Sequence, residues 1–252
     1  LISEALDQDE IALYVQPAVQ ISTGTAIHQE LFLRVRDEHG AWADTQQFME
    51  TAESLGYAPA LDLRVVARVL THIHEHGRAS RLPYCVNLSA ASISDPTWVH
   101  EITDMVRTSD VPGKHLVFEI SEKAAMENID ATAAFIEHLR PLGARVALDD
   151  FGAGFSSFYY LKRFNVEYLK IDERFTQDLH ENEESRVFVK AVNDLAIGLK
   201  RQIIVKGVEN AAILKVLKDT GALYAQGNLF QTAVPLGTVL PQQRISKNTK
   251  RG

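Results

Sequence analysis

The stretch RVALDD, residues 145–150, joins a short apolar run to a pair of acids. Seven further runs of this kind occur along the chain, each rich in β-branched or aromatic residues: IALYVQP (11–17), AIHQELFLRV (26–35), YCVNLS (84–89), HLVFEI (115–120), VEYLKID (166–172), QIIVKG (202–207) and ALYAQG (222–227). Runs of this length and composition are typical of buried β-strands. Each of them is therefore predicted to form one strand.

Amphipathic segments separate these runs. The segment ALDLRVVARVLTHIHEHG (60–77) repeats leucine and valine at helical spacings and stops at Gly77, as a helix does. Strands that alternate with helices favour a mostly parallel sheet, and eight such strands in 252 residues predict a (β/α)8 barrel of the TIM type. An open doubly wound sheet is the alternative. GAGFSS (152–157) supports it little, because it lacks the third glycine of a dinucleotide fingerprint and follows two acids.

The charge balance of the chain excludes one class of partner. Lys and Arg number 26 against 33 Asp and Glu, and the net charge of −7 argues against DNA or RNA, which need clustered cations. No apolar run approaches the length of a membrane span. The single cysteine, Cys85, cannot form an internal disulfide and fits a reducing compartment, so we expect a cytoplasmic protein.

The ends of the chain suggest a fragment. The chain begins at Leu1 and not at methionine, so we expect a piece of a longer multidomain protein. Residues 1–243 carry the strand and helix patterns and are predicted to form one domain. Residues 244–252, RISKNTKRG, are basic and polar and are predicted to form a disordered tail.

Polar side chains stand where the predicted strands end. In a barrel the carboxyl ends of the strands meet at one mouth, so groups distant in sequence lie together there. The set comprises Glu30, inside the second run, together with Asn87, Glu119, Asp149, Asp150, Lys170, Asp172, Lys206, Glu209 and Gln226. The carboxylate and amide oxygens in this set favour Mg²⁺, Mn²⁺ or Ca²⁺ over zinc. A pair of such ions beside a lysine is a common arrangement for phosphodiester cleavage.

The strand-end polar residues, and two other segments that suggest a site, can also be explained by structural roles alone. A single strand-end Asp or Asn is more often a polar cap, but six strand ends in phase favour a shared site. His72 and His76 share a helical face and suggest a metal site, yet a solvated helix end explains them better. The aromatic segment GFSSFYYLKRF (154–164) could stack bases, but we expect it to pack against the barrel or a second subunit of a dimer.

The motifs at these positions resemble those of the EAL domain, a family of cyclic-di-GMP phosphodiesterases with this barrel fold. The resemblance runs from about residue 1 to about residue 240. In chain order the matching segments are YVQP (14–17), ELFLR (30–34), VNLS (86–89), FEISE (118–122), DDFGAGFSS (149–157), LKID (169–172), KGVE (206–209) and QG (226–227). DDFG followed by KID is the most specific pair among them.

The resemblance implies a role for each matched residue. Ligands of a first metal ion are implied at Glu30, Asn87, Glu119 and Asp149, and a ligand of a second ion at Asp150. Lys170 matches the lysine at the catalytic water, Glu209 matches a further catalytic-site group, and Glu122 matches the acid that steadies the DDFG loop. Positions that hold cyclic-di-GMP are implied at Gln16, Phe32, Leu33, Arg34, Asp62, Asn87, Glu119, Lys206, Glu209 and Gln226.

Three segments depart from the family's pattern. ELF (30–32) stands in place of E-A-L, and NLFQTAVP (228–235) lacks the usual S-R-P sequence. The family's E-G-V-E begins here with Lys206, which changes the local charge by two units. One unit charge about 5 Å from a dication is worth roughly 6–7 kcal/mol at an effective dielectric near 20. Lys206 could also take a metal's place by pairing with Asp150 or Glu209.

These departures favour a receptor over an enzyme. The changed triplet is similar to that of FimX-type EAL domains, which regulate type IV pili, bind cyclic-di-GMP without efficient turnover and act through a PilZ-domain partner. The resemblance implies an inactive cyclic-di-GMP-binding domain that needs no cofactor for binding. The alternative is a slow phosphodiesterase that uses Mg²⁺ or Mn²⁺ and yields linear pGpG. A scaffold without nucleotide binding is the third possibility, against which the retained Arg34, Asp62 and Gln226 argue.

Overall fold

A computed structural model describes residues 11–36, 39, 41–43, 45–76, 82–153 and 158–238 of the 252-residue chain. Its strands are β1 Ile11–Gln20, β2 Ala26–Val35, β3 Tyr84–Leu88, β4 Leu116–Ser121, β5 Arg145–Phe151, β6 Tyr168–Ile171, β7 Gln202–Val205, β8 Tyr224–Gln226 and β9 Val234–Pro235. Its α-helices are α1 Thr45–Ser54, α2 Ala58–His76, α3 Ala90–Ser94, α4 Pro96–Thr108, α5 Glu122–Glu127, α6 Ile129–Leu139, α7 Phe158–Leu161, α8 Glu183–Gly198 and α9 Ala211–Thr220. The predicted tail, residues 244–252, lies outside the described residues.

The strands form a closed ring, as predicted for a (β/α)8 barrel. Strands β2 to β8 run parallel, each beside the next along the chain. Strand β1 closes the ring between β8 and β2 and is antiparallel to both. The connection 21–25 explains this departure from a fully parallel barrel, because a parallel crossover needs a dozen or more residues. The short β9 adds to β1 outside the ring.

Two layers of side chains fill the barrel. The lower layer is mostly apolar and contains Ala18, Cys85, Val117, Ala147, Tyr168 and Ile204, with Tyr224 packed against it. The upper layer is polar. Each member stands two positions nearer the mouth than a member of the lower layer, because alternate residues of a strand share a face. The upper layer consists of Gln16, Asn87, Glu119, Asp149, Lys170, Lys206 and Gln226, together with Glu30 on β2.

A second apolar shell lies between the strands and the helices. Helix α2 buries Leu61, Val66 and Val69 on one side, as its spacing predicted. The rings of Phe118 on β4 and Phe135 on α6 meet edge to face at 6.3 Å. This shell fixes each strand against its helix and so fixes where the strand ends point.

Two features with structural interpretations make contacts within the domain, and His72 is less solvated than predicted. The rings of His72 and His76 stack at 4.7 Å on the last turns of α2, and His72 Nε2 lies 3.1 Å from the Tyr84 hydroxyl. In the aromatic segment, Tyr160 and Phe164 are buried and pack against each other at 5.5 Å. Residues 154–157 of that segment lie outside the described residues. In the part of the chain that is described, no helix is both long and apolar enough to cross a membrane.

Candidate functional site

Lys170 lies at the centre of the polar layer, with no exposed surface. Its Nζ donates to Glu30 Oε2 at 2.5 Å and to both carboxylate oxygens of Glu119 at 2.7 Å. Burial opposes the ammonium charge, but the carboxylates of Glu119 and Glu30 outweigh burial and raise the pKa of Lys170 well above its usual value. Lys170 is therefore a fixed positive charge inside the barrel.

Lys206 occupies the neighbouring part of the mouth. Its Nζ lies 2.7 and 2.8 Å from the two oxygens of Asp149 and 2.6 Å from Asp150 Oδ1. Its side chain is only 19% exposed. Burial again opposes the charge, and Asp149 and Asp150 overcome both burial and the repulsion of Lys170, so the pKa of Lys206 is raised. The ammonium group of Lys206 thus points toward the two acids, where its positive charge is favoured.

A bulge in β5 brings both acids to the same ammonium. Successive residues of a regular strand point to opposite faces, so Asp149 and Asp150 would normally diverge. The β5–β6 register shifts between Leu148 and Phe151, and Asp150 has the left-handed φ of 53°. Such a bulge re-aims a side chain at the price of local backbone strain. The strained residue at the mouth is therefore one of the two partners of Lys206.

Amide groups complete the polar layer. Gln226 Nε2 donates to Glu30 Oε2 at 2.7 Å, and Asn87 Nδ2 donates to Glu30 Oε1 at 3.3 Å. Gln16 Nε2 in turn donates to Asn228 Oδ1 at 3.1 Å and to the Gln231 carbonyl at 2.9 Å. Strands β1, β2, β3 and β8 are thus linked across the mouth, and Asn87 is exposed at its surface.

Four carboxylates face two ammonium groups in this cluster, so negative charge remains in excess. Burial and the neighbouring Glu30 raise the pKa of Glu119 well above its usual range. Burial and Asp149 likewise raise the pKa of Asp150, whereas Lys170 and Lys206 overcome burial and lower the pKa of Asp149. The cluster therefore attracts additional positive charge.

The mouth contains residue types that can hold a hard cation, but a lysine stands in the place implied for a second ion. Glu30, Asn87, Glu119 and Asp149 bring the carboxylate and amide oxygens that Mg²⁺ or Mn²⁺ prefers. The place between Asp149 and Asp150, implied for a second ion, holds the Lys206 ammonium. Among the described residues, no three His, Cys, Asp or Glu side chains are grouped as a metal site would require.

The loops around the mouth support this arrangement. Glu122 accepts a hydrogen bond from the Gly152 amide at 2.9 Å and another from the Tyr160 hydroxyl, so it holds the turn that follows the two acids. The Val208 amide donates to the Gln226 carbonyl at 3.0 Å. The segment that carries Lys206 is therefore tied directly to the segment that carries Gln226.

Other predicted residues lie outside the ion-paired cluster. Asp62, on α2, is buried and accepts from the Ser89 amide at 2.8 Å and the Ser92 hydroxyl at 2.7 Å. Glu209 is exposed, and Lys206 pairs with Asp149 and Asp150 in its place. The predicted ligand-binding residues Phe32, Leu33 and Arg34 follow Glu30 along β2, where all three are partly buried.

Sequence reasoning missed several residues at or near the site. The Cys85 thiol donates to Glu119 Oε2 at 3.0 Å, a contact that the two-residue period from Asn87 could have suggested. His28 stands two positions before Glu30 on β2, as Cys85 does before Asn87. It is fully buried, and the centroid of its ring lies 5.3 Å from that of Tyr168. Tyr14 and Trp42 meet edge to face beyond the mouth at 5.9 Å, and no sequence spacing indicates that contact.

Two phosphodiesterases are similar in sequence to this chain. The chain is 30% identical over 241 residues to the cyclic di-GMP phosphodiesterase NbdA of Pseudomonas aeruginosa, and 30% identical over 244 residues to the cyclic di-GMP phosphodiesterase PdeB of Shewanella oneidensis. These matches cover 94% and 96% of this chain but only 31% and 28% of the relatives. The chain thus spans about a third of the length of either protein or less.

Two solved structures share the fold over most of their length. The PaMucR phosphodiesterase in complex with c-di-GMP superposes with a TM-score of 0.88 at 28% identity, covering 95% of this chain and 98% of that one. The FimX EAL domain of Pseudomonas aeruginosa bound to c-di-GMP gives a TM-score of 0.84 at 27% identity, covering 92% and 94%. The sequence profile of the EAL domain matches residues 2–233. With its closed barrel and its polar mouth, the chain therefore belongs to the EAL domain family.

Proposed function

We propose that this domain is a receptor for cyclic-di-GMP and not an efficient hydrolase of it. The observation that carries the proposal is the position of Lys206, whose Nζ lies within 2.8 Å of three oxygens of Asp149 and Asp150. The positive charge that a second metal ion would bring to these two acids is here supplied by a side chain of the protein. It offsets one of the two negative charges of these acids, but an ammonium group cannot activate a water as a divalent metal does.

Charge counting supports the same proposal. With a glutamate at position 206, five carboxylates and Lys170 would leave about four negative charges, which two dications neutralise. With Lys206, four carboxylates face two lysines, and about two negative charges remain. A single dication or two protons suffice for neutrality. One of these charges belongs to Glu30 and Glu119, which share Lys170, and the other belongs to Asp149 and Asp150, which share Lys206.

The groups proposed to hold the nucleotide are retained around this centre. Arg34 donates from Nη1 to the Leu33 carbonyl at 2.9 Å, and its Cζ lies 5.7 and 5.8 Å from the rings of Tyr14 and Phe32. Its guanidinium is thus held in place beside two aromatic rings, which suits the planar recognition of a phosphate or a guanine edge. Both structural neighbours described above were solved with c-di-GMP bound.

Isothermal calorimetry with cyclic-di-GMP in EDTA tests the receptor proposal. We expect a dissociation constant below about 100 µM without added metal, which corresponds to more than about 5 kcal/mol of binding free energy. The Arg34→Ala variant should bind at least tenfold more weakly. A domain that binds only when Mg²⁺ or Mn²⁺ is present, or not at all, would contradict the proposal.

The Lys206→Glu variant tests the part assigned to the lysine. We expect it to form linear pGpG with Mg²⁺ or Mn²⁺, because it restores the acid and removes the fixed ammonium. Lys206→Met is the matched control, since it removes the charge without supplying a ligand, and it should stay inactive. If Lys206→Glu is inactive while it binds nucleotide, the changes at ELF (30–32) or NLFQTAVP (228–235) also block hydrolysis.

A slow metal-dependent phosphodiesterase is the second candidate. It is favoured by the two similar phosphodiesterases and by the convergence of Glu30, Asn87, Glu119 and Asp149. A bound Mg²⁺ or Mn²⁺ would supply a polarised water and a charge opposite the phosphate. Lys170 would then hold Glu30 and Glu119 in place. Chromatography of an overnight reaction at high protein concentration decides this, because pGpG from the unmodified domain would favour hydrolysis.

We further propose that the receptor signals to a protein partner of the PilZ-domain type, in type IV pilus regulation. The support is the likeness to the FimX EAL domain and the altered triplet at ELF (30–32). The buried thiol of Cys85 is compatible with a cytoplasmic location. Size-exclusion chromatography with light scattering, with and without cyclic-di-GMP, would measure both self-association to a dimer and capture of a purified PilZ-domain protein. Capture that does not depend on the ligand, and survives Arg34→Ala, would favour a plain scaffold.

A further inference from the structure

One face of the β1–β2 hairpin continues the polar mouth outward. The register pairs Gln16 with Glu30, then Tyr14 with Phe32, then Ala12 with Arg34. Beyond the end of β2, Arg36 forms an antiparallel bridge with Trp42. These pairs lie two residues apart, so they share one face of the hairpin. Arg36 lies six positions after Glu30, which corresponds to about 20 Å of extended chain.

This face carries flat and cationic groups in contact with one another. We call Tyr14, Phe32, Arg34, Arg36 and Trp42 the aromatic strip. The guanidinium of Arg36 lies 4.4 Å from the centroid of the Trp42 ring, and Tyr14 meets the edge of that ring at 5.9 Å. Trp42 remains 44% exposed. The aromatic strip therefore presents an arginine layered on an indole, next to solvent.

Packing alone does not account for the aromatic strip. Side chains that only stabilise a hairpin are buried by it, as Leu13, Val15 and Leu31 on the opposite face are. Arg34 and Arg36 also place two positive charges on one face of a chain whose net charge is −7. Exposed aromatic rings and arginine planes are the surfaces on which proteins stack nucleobases, at about 1–3 kcal/mol for each base.

We propose that Trp42 and Arg36 form a stacking platform for the second purine base of a dinucleotide whose first base lies at the barrel mouth. The inference rests on the proposed function, because it takes cyclic-di-GMP as the ligand. A ligand with a single base can occupy only the position at the mouth. A ligand with two bases joined by phosphates spans the distance along the aromatic strip, with Arg34 between the two positions for a phosphate. The platform thus selects for a dinucleotide over a mononucleotide.

The presence of only two tryptophans makes the platform directly observable. The Trp98→Phe variant leaves Trp42 as the sole indole, since Trp98 lies on α4. We expect saturating cyclic-di-GMP to quench the emission of Trp42 in this variant and saturating GMP to leave it unchanged. Trp98→Phe should itself leave the dissociation constant from calorimetry unchanged.

Substitutions then measure the contribution of the platform to affinity. Trp42→Ala should raise the dissociation constant for cyclic-di-GMP about tenfold, and Arg36→Met severalfold, with little effect on GMP. Circular dichroism melts establish that each variant is folded, and Trp42→Phe, which keeps a flat ring, should recover part of the affinity.

The outcomes separate the two proposals. If calorimetry shows binding that Arg34→Ala weakens, while Trp42 emission and the affinity of Trp42→Ala do not change, the platform is overturned and the receptor proposal stands. If the unmodified domain binds no cyclic-di-GMP, the proposed function fails and the platform fails with it.

Discussion

His28 lies fully buried in the lower layer of the barrel, and both of its ring nitrogens lack a hydrogen-bond partner among the described residues. Burial, followed by the charge of Lys170, lowers its pKa to about 3, so the ring is neutral at ordinary pH. A buried polar group without a partner costs about 1–3 kcal/mol. The residue therefore weakens the barrel directly beneath the functional site.

Replacing His28 with leucine should stabilise the protein. We expect His28→Leu to raise the free energy of unfolding by about 1–2 kcal/mol in urea denaturation, because an apolar side chain of similar size removes the unsatisfied nitrogens. His72→Leu is the matched control, since His72 has a partner in the Tyr84 hydroxyl, and that variant should gain nothing. Equal destabilisation of both variants would show that the His28 nitrogens are satisfied.

The buried carboxyl group of Asp62 should make the stability of the folded domain depend on pH. Burial raises its pKa from 3.8 to about 6, against the opposing hydrogen bonds from Ser89 and Ser92. The folded state therefore holds the proton more tightly than the unfolded state. The stability that depends on this carboxyl is complete below about pH 4 and is lost as the pH rises through about 6.

Comparison with Asp62→Asn isolates this effect. The unfolding free energy of the unmodified domain minus that of Asp62→Asn should fall by about 3 kcal/mol between pH 4 and pH 7, because about two pKa units separate the folded and unfolded states. Asp178→Asn is a control, since hydrogen bonds from Ser185 and Asn182 lower the pKa of Asp178, so its contribution should stay nearly constant between pH 4 and pH 7 and be lost only at lower pH. A difference for Asp62→Asn that does not vary with pH would refute the assignment.

At the scale of elements, the loops after β7 and β8 depend on each other. Gly227 has a φ of +157°, and a Cβ at this position would lie 2.3 Å from the Val208 carbonyl oxygen and 2.4 Å from its amide nitrogen. The close approach permits the Val208–Gln226 hydrogen bond and holds the segment that begins at Lys206. The position of the lysine is thus determined partly by a glycine on the next strand.

Gly227→Ala should separate the two loops. We expect a loss of at least about 2 kcal/mol in unfolding free energy, because the backbone of Val208 cannot yield as a side chain can. Gly198→Ala, at the end of α8 with open space around the added Cβ, should be neutral or slightly stabilising. If Gly227→Ala is as stable as Gly198→Ala, the two loops are not rigidly coupled.

At the scale of the whole molecule, a ligand across the mouth links strands from both ends of the chain. Gln16 and Gln226, 210 positions apart, already share a 3.4 Å hydrogen bond there. Binding to such a place should stabilise the entire barrel cooperatively. At a hundredfold excess over the dissociation constant, the gain is about 2.7 kcal/mol.

Thermal denaturation checks this prediction. Cyclic-di-GMP at that excess should raise Tm by about 5–10 °C in a domain of this size, and by the same amount in EDTA as in Mg²⁺. Arg34→Ala at the same ligand concentration provides the control and should show a smaller shift. A shift that vanishes in EDTA would mean that a metal ion is needed to hold the ligand.

Much of the fold and of the site follows from local patterns in the sequence. Short apolar runs and helical spacings predict the ring of strands, and the polar residues at the ends of those runs predict the mouth, because parallel strands deliver their carboxyl ends to one place. Lys206 is visible as a reversed charge in the KGVE motif (206–209). The direction of β1 could have been inferred from the short connection that follows it, since only an antiparallel neighbour can be reached by so short a link.

Tertiary structure alone decided how these groups meet. The bulge at Asp149 and Asp150 points two successive acids at one ammonium, and a strand pattern with a period of two predicts that they diverge. The exposure of Glu209, the burial of Asp62 and the contact of Trp42 with Arg36 likewise depend on how loops cross in space. The sequence by itself determined the barrel and the chemistry available at its mouth, because both depend on local periodicity. Which acid pairs with which lysine was decided only by packing, because ion pairs form between strands whose separation along the chain carries no signal.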